Sequence, residues 1–259
     1  MPTPILAFNE KSHRYRLDDA WVPSVTTIIN GGLPKPALVA WAGTVVAEHV
    51  ADHLDDVVSM AHLGREPMVK ALASVPDEIR NKAGVRGTLV HELAEHVVHG
   101  RAVEVPPAIS DRVEGYARWL DRFEPVPLAT EMMCANRADW WAGRFDLIAR
   151  IGEVTWLLDN KTSKSVYGDT SLQVGAYASA EFYVDPAAPD VEVPAIPVDR
   201  IGVLHVTDDG TDLFDLGDIE SAYAEFLAAK VIYAGAGRRR RLIGRPVATP
   251  GPVAEAVGW

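Results

Sequence analysis

The segment from Gly143 to Thr162, Gly-Arg-Phe-Asp-Leu-Ile-Ala-Arg-Ile-Gly-Glu-Val-Thr-Trp-Leu-Leu-Asp-Asn-Lys-Thr, sets what can stand at the centre of the fold. Two apolar-rich runs flank Gly152-Glu153, and glycine at the first central position suits a two-residue type II′ hairpin turn. That turn fixes the register. Ile151 pairs with Val154, Asp146 falls opposite Asp159, and Arg144 falls opposite Lys161. Opposed side chains share one face, with Cβ atoms ~4.5–5.5 Å apart, and Lys161, two residues past Asp159, shares that face. Residues 154–158 are almost continuously apolar, which predicts a central strand buried on both sides. Two carboxylates facing each other there repel, unless a cation lies between them or one is protonated. Oxygen ligands on a small hard ion point to Mg²⁺ or Mn²⁺. The plainer alternative is that Asp159-Asn160 ends the strand and Asp146 pairs with Arg144 or Lys161.

Around this hairpin the pattern alternates between helical and extended. Residues 13–17 and 21–29 read as strands about an Asp18-Asp19 turn. Pro34 and Pro36 open a long helical stretch, with Leu38, Trp41, Val45, Val46, His49 and Val50 on one stripe. Shorter helical pieces cover 67–73 and 77–82. A stronger helix spans 88–99 and stops at Gly100, a residue suited to a left-handed cap. Residues 110–123 form an amphipathic helix burying Val113, Tyr116, Ala117, Leu120 and Phe123. Strands follow at 130–136, 144–151 and 154–159, then a helix at 171–183 and a proline-rich loop at 185–197. A hairpin at 201–216 and a helix at 219–233 end the pattern. Helices before, within and after a short run of strands describe an α/β or α+β sheet covered by helices. One domain is expected over residues 1–259. It divides into a hairpin and helical appendage over about 1–85, a core over about 86–235 and a basic tail over 236–259.

Composition narrows the function. Hydrophobic residues make up 48% and charged residues 24%, which excludes disordered and collagenous chains. No stretch resembles a signal peptide or a membrane helix, so a cytoplasmic protein with no membrane role is expected. The single cysteine, Cys134, excludes an internal disulfide. A formal net charge of −11 is unlike that of a protein that binds nucleic acid by bulk charge. Any such binding must rest on local positive charge or on metal ions.

The ordered set Gly143-Arg-Phe-Asp146, Asp159-Asn-Lys161 and Gln173-Val-Gly-Ala-Tyr177 resembles the PD-(D/E)xK nuclease superfamily, and within it the RecB-like exonuclease branch of bacteria and phages. Upstream, Gly87-Thr-Leu-Val-His91 is similar to that branch's glycine–histidine helix. Pro23-Ser-Val-Thr-Thr-Ile-Ile29 and Pro34-Lys-Pro-Ala-Leu-Val-Ala-Trp41 look like phage-borne members. The resemblance implies a restriction-endonuclease-like α/β core: a central mixed sheet flanked by helices, with the N-terminal helical part as an appendage over the DNA entrance. It implies Mg²⁺-dependent hydrolysis of DNA phosphodiesters, with Mn²⁺ substituting, by a stand-alone exonuclease of recombination or repair. A structure- or site-specific endonuclease and a catalytically idle DNA- or partner-binding module are the alternatives.

The roles follow residue by residue from the resemblance. Asp146, Asp159 and the backbone carbonyl of Asn160 hold the metal, His91 reaches it from its helix, and Glu131 is a further candidate ligand. Lys161 orients or deprotonates the attacking water and offsets charge on the phosphate. Gln173 and Tyr177, one helical turn apart, support the site or touch the DNA backbone. Arg144, Lys164 and the run Arg238, Arg239, Arg240, Arg241 (with Arg245) are candidate phosphate contacts; for the run, the alternative is a solvated basic end. Partners implied are DNA and a recombinase or single-strand-binding protein, and the oligomeric state is left open. One cysteine rules out the branch's four-cysteine iron–sulfur cluster, and no Gly-x-x-x-x-Gly-Lys-Ser/Thr loop for a nucleotide appears.

Two motifs have plainer readings. His91-Glu-Leu-Ala-Glu-His96 lacks the spacing of a zinc protease, since glutamate stands at position 95; His96 and His99 read as solvent-facing. Trp140-Trp141 could stack on a base but reads first as packing.

Overall fold

The computed structural model describes residues 4–244, so Arg245 and the rest of the expected basic tail lie outside the described residues. Three strands open the chain: β1 (Leu6–Asn9), β2 (Arg14–Leu17) and β3 (Ala20–Val22). Five helices follow: α1 (Val25–Gly32), α2 (Pro36–Asp52), α3 (Leu54–Met60), α4 (Arg65–Val98) and α5 (Ser110–Phe123). Then come β4 (Val126–Thr130), β5 (Met133–Asn136), β6 (Trp141–Arg144), β7 (Leu147–Ile151) and β8 (Val154–Lys161). The remaining elements are α6 (Asp169–Ala178), β9 (Phe182–Val184), β10 (Glu192–Pro194), β11 (Arg200–Thr207), β12 (Gly210–Asp215), α7 (Ile219–Ala234) and α8 (Ala236–Arg241).

The protein is α/β, built on a five-stranded mixed sheet of order β12-β11-β8-β7-β4. Only β8 and β11 run parallel, and the crossover that parallel neighbours require carries α6. Strand alternation gives this sheet two apolar faces. Leu147, Ala149, Leu158, Leu204 and Val206 pack with Val90, Leu93, Val113, Tyr116 and Trp119 of α4 and α5. Ile148, Leu157 and Ile201 pack with Ile28, Val174 and Phe226 of α1, α6 and α7. Burial on both faces is what the apolar run at 154–158 requires. A second, antiparallel sheet (β10-β9-β5-β6) and the β1-β2-β3 sheet share a third core that includes Leu6, Leu17, Val22, Ala135 and Phe182. No helix among the described residues is long and apolar enough to cross a membrane.

The structure departs from the sequence reading at several junctions. The strand expected over 21–29 stops at Val22. Ser24 then caps α1, its hydroxyl accepting from the Thr27 amide at 3.1 Å, and Val25, Ile28, Ile29 and Gly32 are buried at helical spacing. The pieces at 67–73, 77–82 and 88–99 are one helix, α4, with Pro76 inside it. Its end is capped as expected. Gly100, at φ 69, donates to Val97 O, and Arg101 donates to His96 O. The stripe on α2 is only partly covered: Val45 is buried, Trp41, Val46, His49 and Val50 are half-buried, and Leu38 is exposed. On α5, Trp119 is buried and Phe123 is 37% exposed. The helix expected over 171–183 ends at Ala178, and the chain continues into β9. A short strand, β10, interrupts the proline-rich loop. The strands expected over 130–136 and 144–151 are each split between two sheets.

Candidate metal centre

The β7–β8 hairpin has the expected register. Ile151 pairs with Val154 and the ladder runs back to Leu147↔Leu158. Gly152 has φ 59 whereas Glu153 has no positive φ, as a type II′ turn requires. The ladder stops there, one step short of Asp146 and Asp159. Arg144 lies in β6 and pairs with Met133 of the other sheet, not with Lys161. The physical reason is that the chain crosses between sheets at Phe145-Asp146, just as it does at Glu131-Met132 on the way in. Glu131, at φ 51, occupies the left-handed region. The two crossings are held side by side: the Glu131 amide donates to Asp146 O at 2.9 Å and the Phe145 amide to Met132 O at 3.2 Å.

This double crossing sets the geometry. Asp146 leaves the ladder, and its Oδ2 accepts the Asn160 amide at 2.7 Å and lies 3.3 Å from His91 Nδ1. Glu131 lies beside it. One ligand atom from each of His91, Glu131 and Asp146 falls within 4.8 Å of the others. This cluster can hold a metal ion. Arg144 bonds Glu131 twice from Nε, to the carboxylate at 2.8 Å and to the backbone oxygen at 3.0 Å. Gly87 sits one turn before His91 on α4, and a Cβ there would meet Thr162 Oγ1 at 3.2 Å, so the glycine lets α4 approach the end of β8 closely. A cleft of about 460 Å³, bordered by Gly84, Gly87, His91, Glu131 and Arg144, opens onto these groups.

The remaining expected residues stand on the α6 side. Asp159 Oδ1 accepts from Gln173 Nε2 at 2.9 Å, and Asp159 Oδ2 pairs with Lys161 Nζ at 2.5 Å. Lys161 also donates to Gln173 Oε1 at 3.4 Å, and Gln173 Nε2 lies 3.5 Å from the Tyr177 hydroxyl. Gln173 thus clamps both charged groups. Tyr177 is buried against β6, where a Cβ on Gly143 would lie 2.3 Å from its Cε1. Asn160 is buried, and its Oδ1 finds no hydrogen-bond partner among the described residues.

Burial and charge shift the site's acids and bases. Burial raises Asp159 to about 6, with Lys161 opposing and Asp146 adding to the rise. Burial also raises Glu131 to about 7, helped by the Asp146 charge. Burial disfavours the His91 cation, but the Asp146 carboxylate outweighs it and lifts His91 to about 9. Burial would likewise lower Lys161, yet Asp159 and Asp146 hold it above its usual value. Against its own burial, Asp146 is kept low by His91 and Lys161.

The other expected contacts lie apart from this cluster. Lys164 is exposed on the segment after β8, and Arg238 to Arg241 are exposed on α8, which follows α7 after Gly235. Trp141 is fully buried against Tyr223 and Phe226, which favours the packing reading. His99 is exposed and bonds Thr130 Oγ1 at 3.1 Å, while His96 is half-buried.

One residue escaped the sequence reading. Arg112, buried on α5, donates to Asp208 at 2.6 and 3.1 Å and to the carbonyls of Thr162 (3.1 Å) and Val206 (3.4 Å). It therefore holds the chain directly after Lys161. The available signal was an arginine one helical turn before Tyr116 on an otherwise apolar face.

The chain matches no protein-family model, and a search of curated proteins also gave no match.

Proposed function

We propose that the protein is a metal-dependent deoxyribonuclease of the PD-(D/E)xK superfamily, with a restriction-endonuclease-like core and exonucleolytic action on DNA. The observation that supports this reading best is the His91–Glu131–Asp146 cluster at the end of β8, where the Asn160 amide bonds Asp146 and where the chain neighbours of Asn160, Asp159 and Lys161, form an ion pair of their own. Each carboxylate has a cationic partner, Asp146 with His91, Asp159 with Lys161 and Glu131 with Arg144, and gathering three such pairs at one strand end is costly for stability alone.

Two carboxylates and one imidazole fit a divalent cation. Carboxylates suit Mg²⁺, and the imidazole nitrogen makes Mn²⁺ at least as good a fit. His91, Glu131 and Asp146 would hold it, while Asp159, its oxygens taken by Gln173 and Lys161, lies outside that trio. Such an ion supplies charge stabilisation on a phosphate and a nucleophile at neutral pH. The chain's own residues do the rest. Lys161, paired with Asp159, offsets negative charge on the phosphate. Gln173 fixes its direction, and Arg112 fixes the backbone that follows it.

The test incubates purified protein and Mg²⁺ or Mn²⁺ with closed circular plasmid, with linear duplex and with linear single-stranded DNA, beside Asp159→Ala and Lys161→Ala. Loss of linear DNA alone, abolished by EDTA and by either substitution, is expected. Nicked or linearised circles would make it an endonuclease. Wild type as inert as the variants in both metals would overturn the reading.

A further inference from the structure

The acidic chain needs a local cationic surface if it is to meet a polyanion, and the β1–β3 sheet presents one. Arg14 and Arg16 are two residues apart on β2, and Arg16 pairs directly with Trp21 on β3. All three side chains therefore share one face of the sheet. The opposite face carries Tyr15, Leu17 and Val22, all buried. On the outer face the Trp21 side chain is 53% exposed, a large indole open to solvent. The guanidinium carbons of Arg14 and Arg16 stand 5.8 and 5.7 Å from its ring centroid. Arg14 makes no ion pair among the described residues, whereas Arg16 bonds the Asp19 carbonyl at 2.6 Å and faces its carboxylate at 3.5 Å.

The surface is braced by its neighbours and tied to the strand that ends at the cleft. Asp18 and Asp19, at φ 46 and 64, form the tight turn between β2 and β3. Arg137 engages Asp18 at 2.7 Å, which removes one acid from the patch. The Trp140 indole donates to the Trp21 carbonyl at 3.2 Å. Just past β3, Ser24 bridges to Ala142 of β6, the strand that ends in Arg144 at the cleft.

We propose that this face docks single-stranded DNA, one base stacking on Trp21 and Arg14 and Arg16 holding the adjoining phosphates. An aromatic ring flanked by cations matches the two features that every nucleotide offers, a π face and an anion. A paired duplex hides its base faces within the stack, so the geometry selects an unpaired strand. The inference deepens the nuclease reading by naming the form of its substrate.

The test measures fluorescence anisotropy of a labelled oligothymidylate in EDTA, so that binding is read without hydrolysis. A duplex of equal length and heparin, a polyanion without bases, serve as competitors. Trp21→Ala should weaken oligothymidylate binding about 5- to 150-fold, and Trp21→Phe should lose less. Arg14→Ala/Arg16→Ala should flatten the logarithmic salt dependence by about 1.4 in slope, for two phosphate contacts. Melting curves of each variant guard against misfolding, with Trp21→Phe as the milder change. Trp21→Ala binding like wild type, or duplex and heparin competing as well as the single strand, would overturn the proposal. Hydrolysis is assayed separately on wild type with metal. Trp21-dependent binding without hydrolysis would refute the nuclease reading and leave this surface standing, and hydrolysis with Trp21-independent binding would do the reverse.

Discussion

Replacing Gly143 by alanine tests the packing on which the α6 side of the site rests. The added methyl would sit 2.3 Å from Tyr177 Cε1 and 3.2 Å from both Cδ1 and Cζ, where carbon–carbon contacts are normally about 3.5–4.0 Å. The clash requires a shift of more than about 1 Å. Neither partner can give way easily. Gly143 is paired to Cys134 inside the second sheet, and Tyr177 is 3% exposed within the main core. Overpacking of this kind costs about 1–3 kcal/mol, and the closeness of the contact places Gly143→Ala near the upper end. At about 2–4 °C per kcal/mol for a chain of this size, the melting temperature should fall by roughly 6–12 °C. Urea and thermal unfolding of Gly143→Ala, Tyr177→Ala and the double variant measure it. In the double variant the methyl enters the space the ring has left, so the two losses should fall short of additivity by about 2 kcal/mol. Gly143→Ala within about 0.5 kcal/mol of wild type, or strict additivity, would refute the reasoning.

Three further outcomes follow from the same geometry. His91 is held charged in the fold up to about 9 against an ordinary 6.5. Its contribution to stability is therefore fully present below about 6.5 and is lost as pH rises through about 9; melting temperature against pH in EDTA should decline across that window, and His91→Gln should flatten the decline. Mn²⁺ at about a hundred times its dissociation constant should stabilise the protein by about 2.7 kcal/mol, and Glu131→Gln or His91→Gln should remove most of that gain in a thermal-shift titration. Arg112→Ala strands the Thr162 and Val206 carbonyls and should cost about 2–4 kcal/mol in urea unfolding, with Arg112→Lys recovering part of it.

What could be read from the sequence divides along a physical line. The β7–β8 register was legible because one glycine at position 152 both permits and demands a particular turn, and a turn is a local matter. The caps at Ser24 and Gly100 are equally local, although the β-branched run Val25-Thr26-Thr27-Ile28-Ile29 outweighed the first of them in the reading. The two sheet crossings were not legible. Neither break carries a proline or glycine, only a single acid, Glu131 or Asp146, and the residues that follow are apolar in both cases because both sheets bury them. Nothing in the pattern says which sheet a strand joins.

Those crossings nonetheless make the candidate site. Had residues 144–151 stayed in one ladder, Asp146 would have been an ordinary strand residue. Because the ladder ends at Leu147↔Leu158, the Asn160 amide is taken by the Asp146 carboxylate instead of by a backbone carbonyl of β7. Because the chain also crosses at Glu131, a second acid is drawn beside Asp146 by the bond from its own amide to Asp146 O. The sequence reading could therefore name Glu131 only through the resemblance, while the structure gives a reason for its place: two neighbouring strands change sheets together and bring their acids to the same edge.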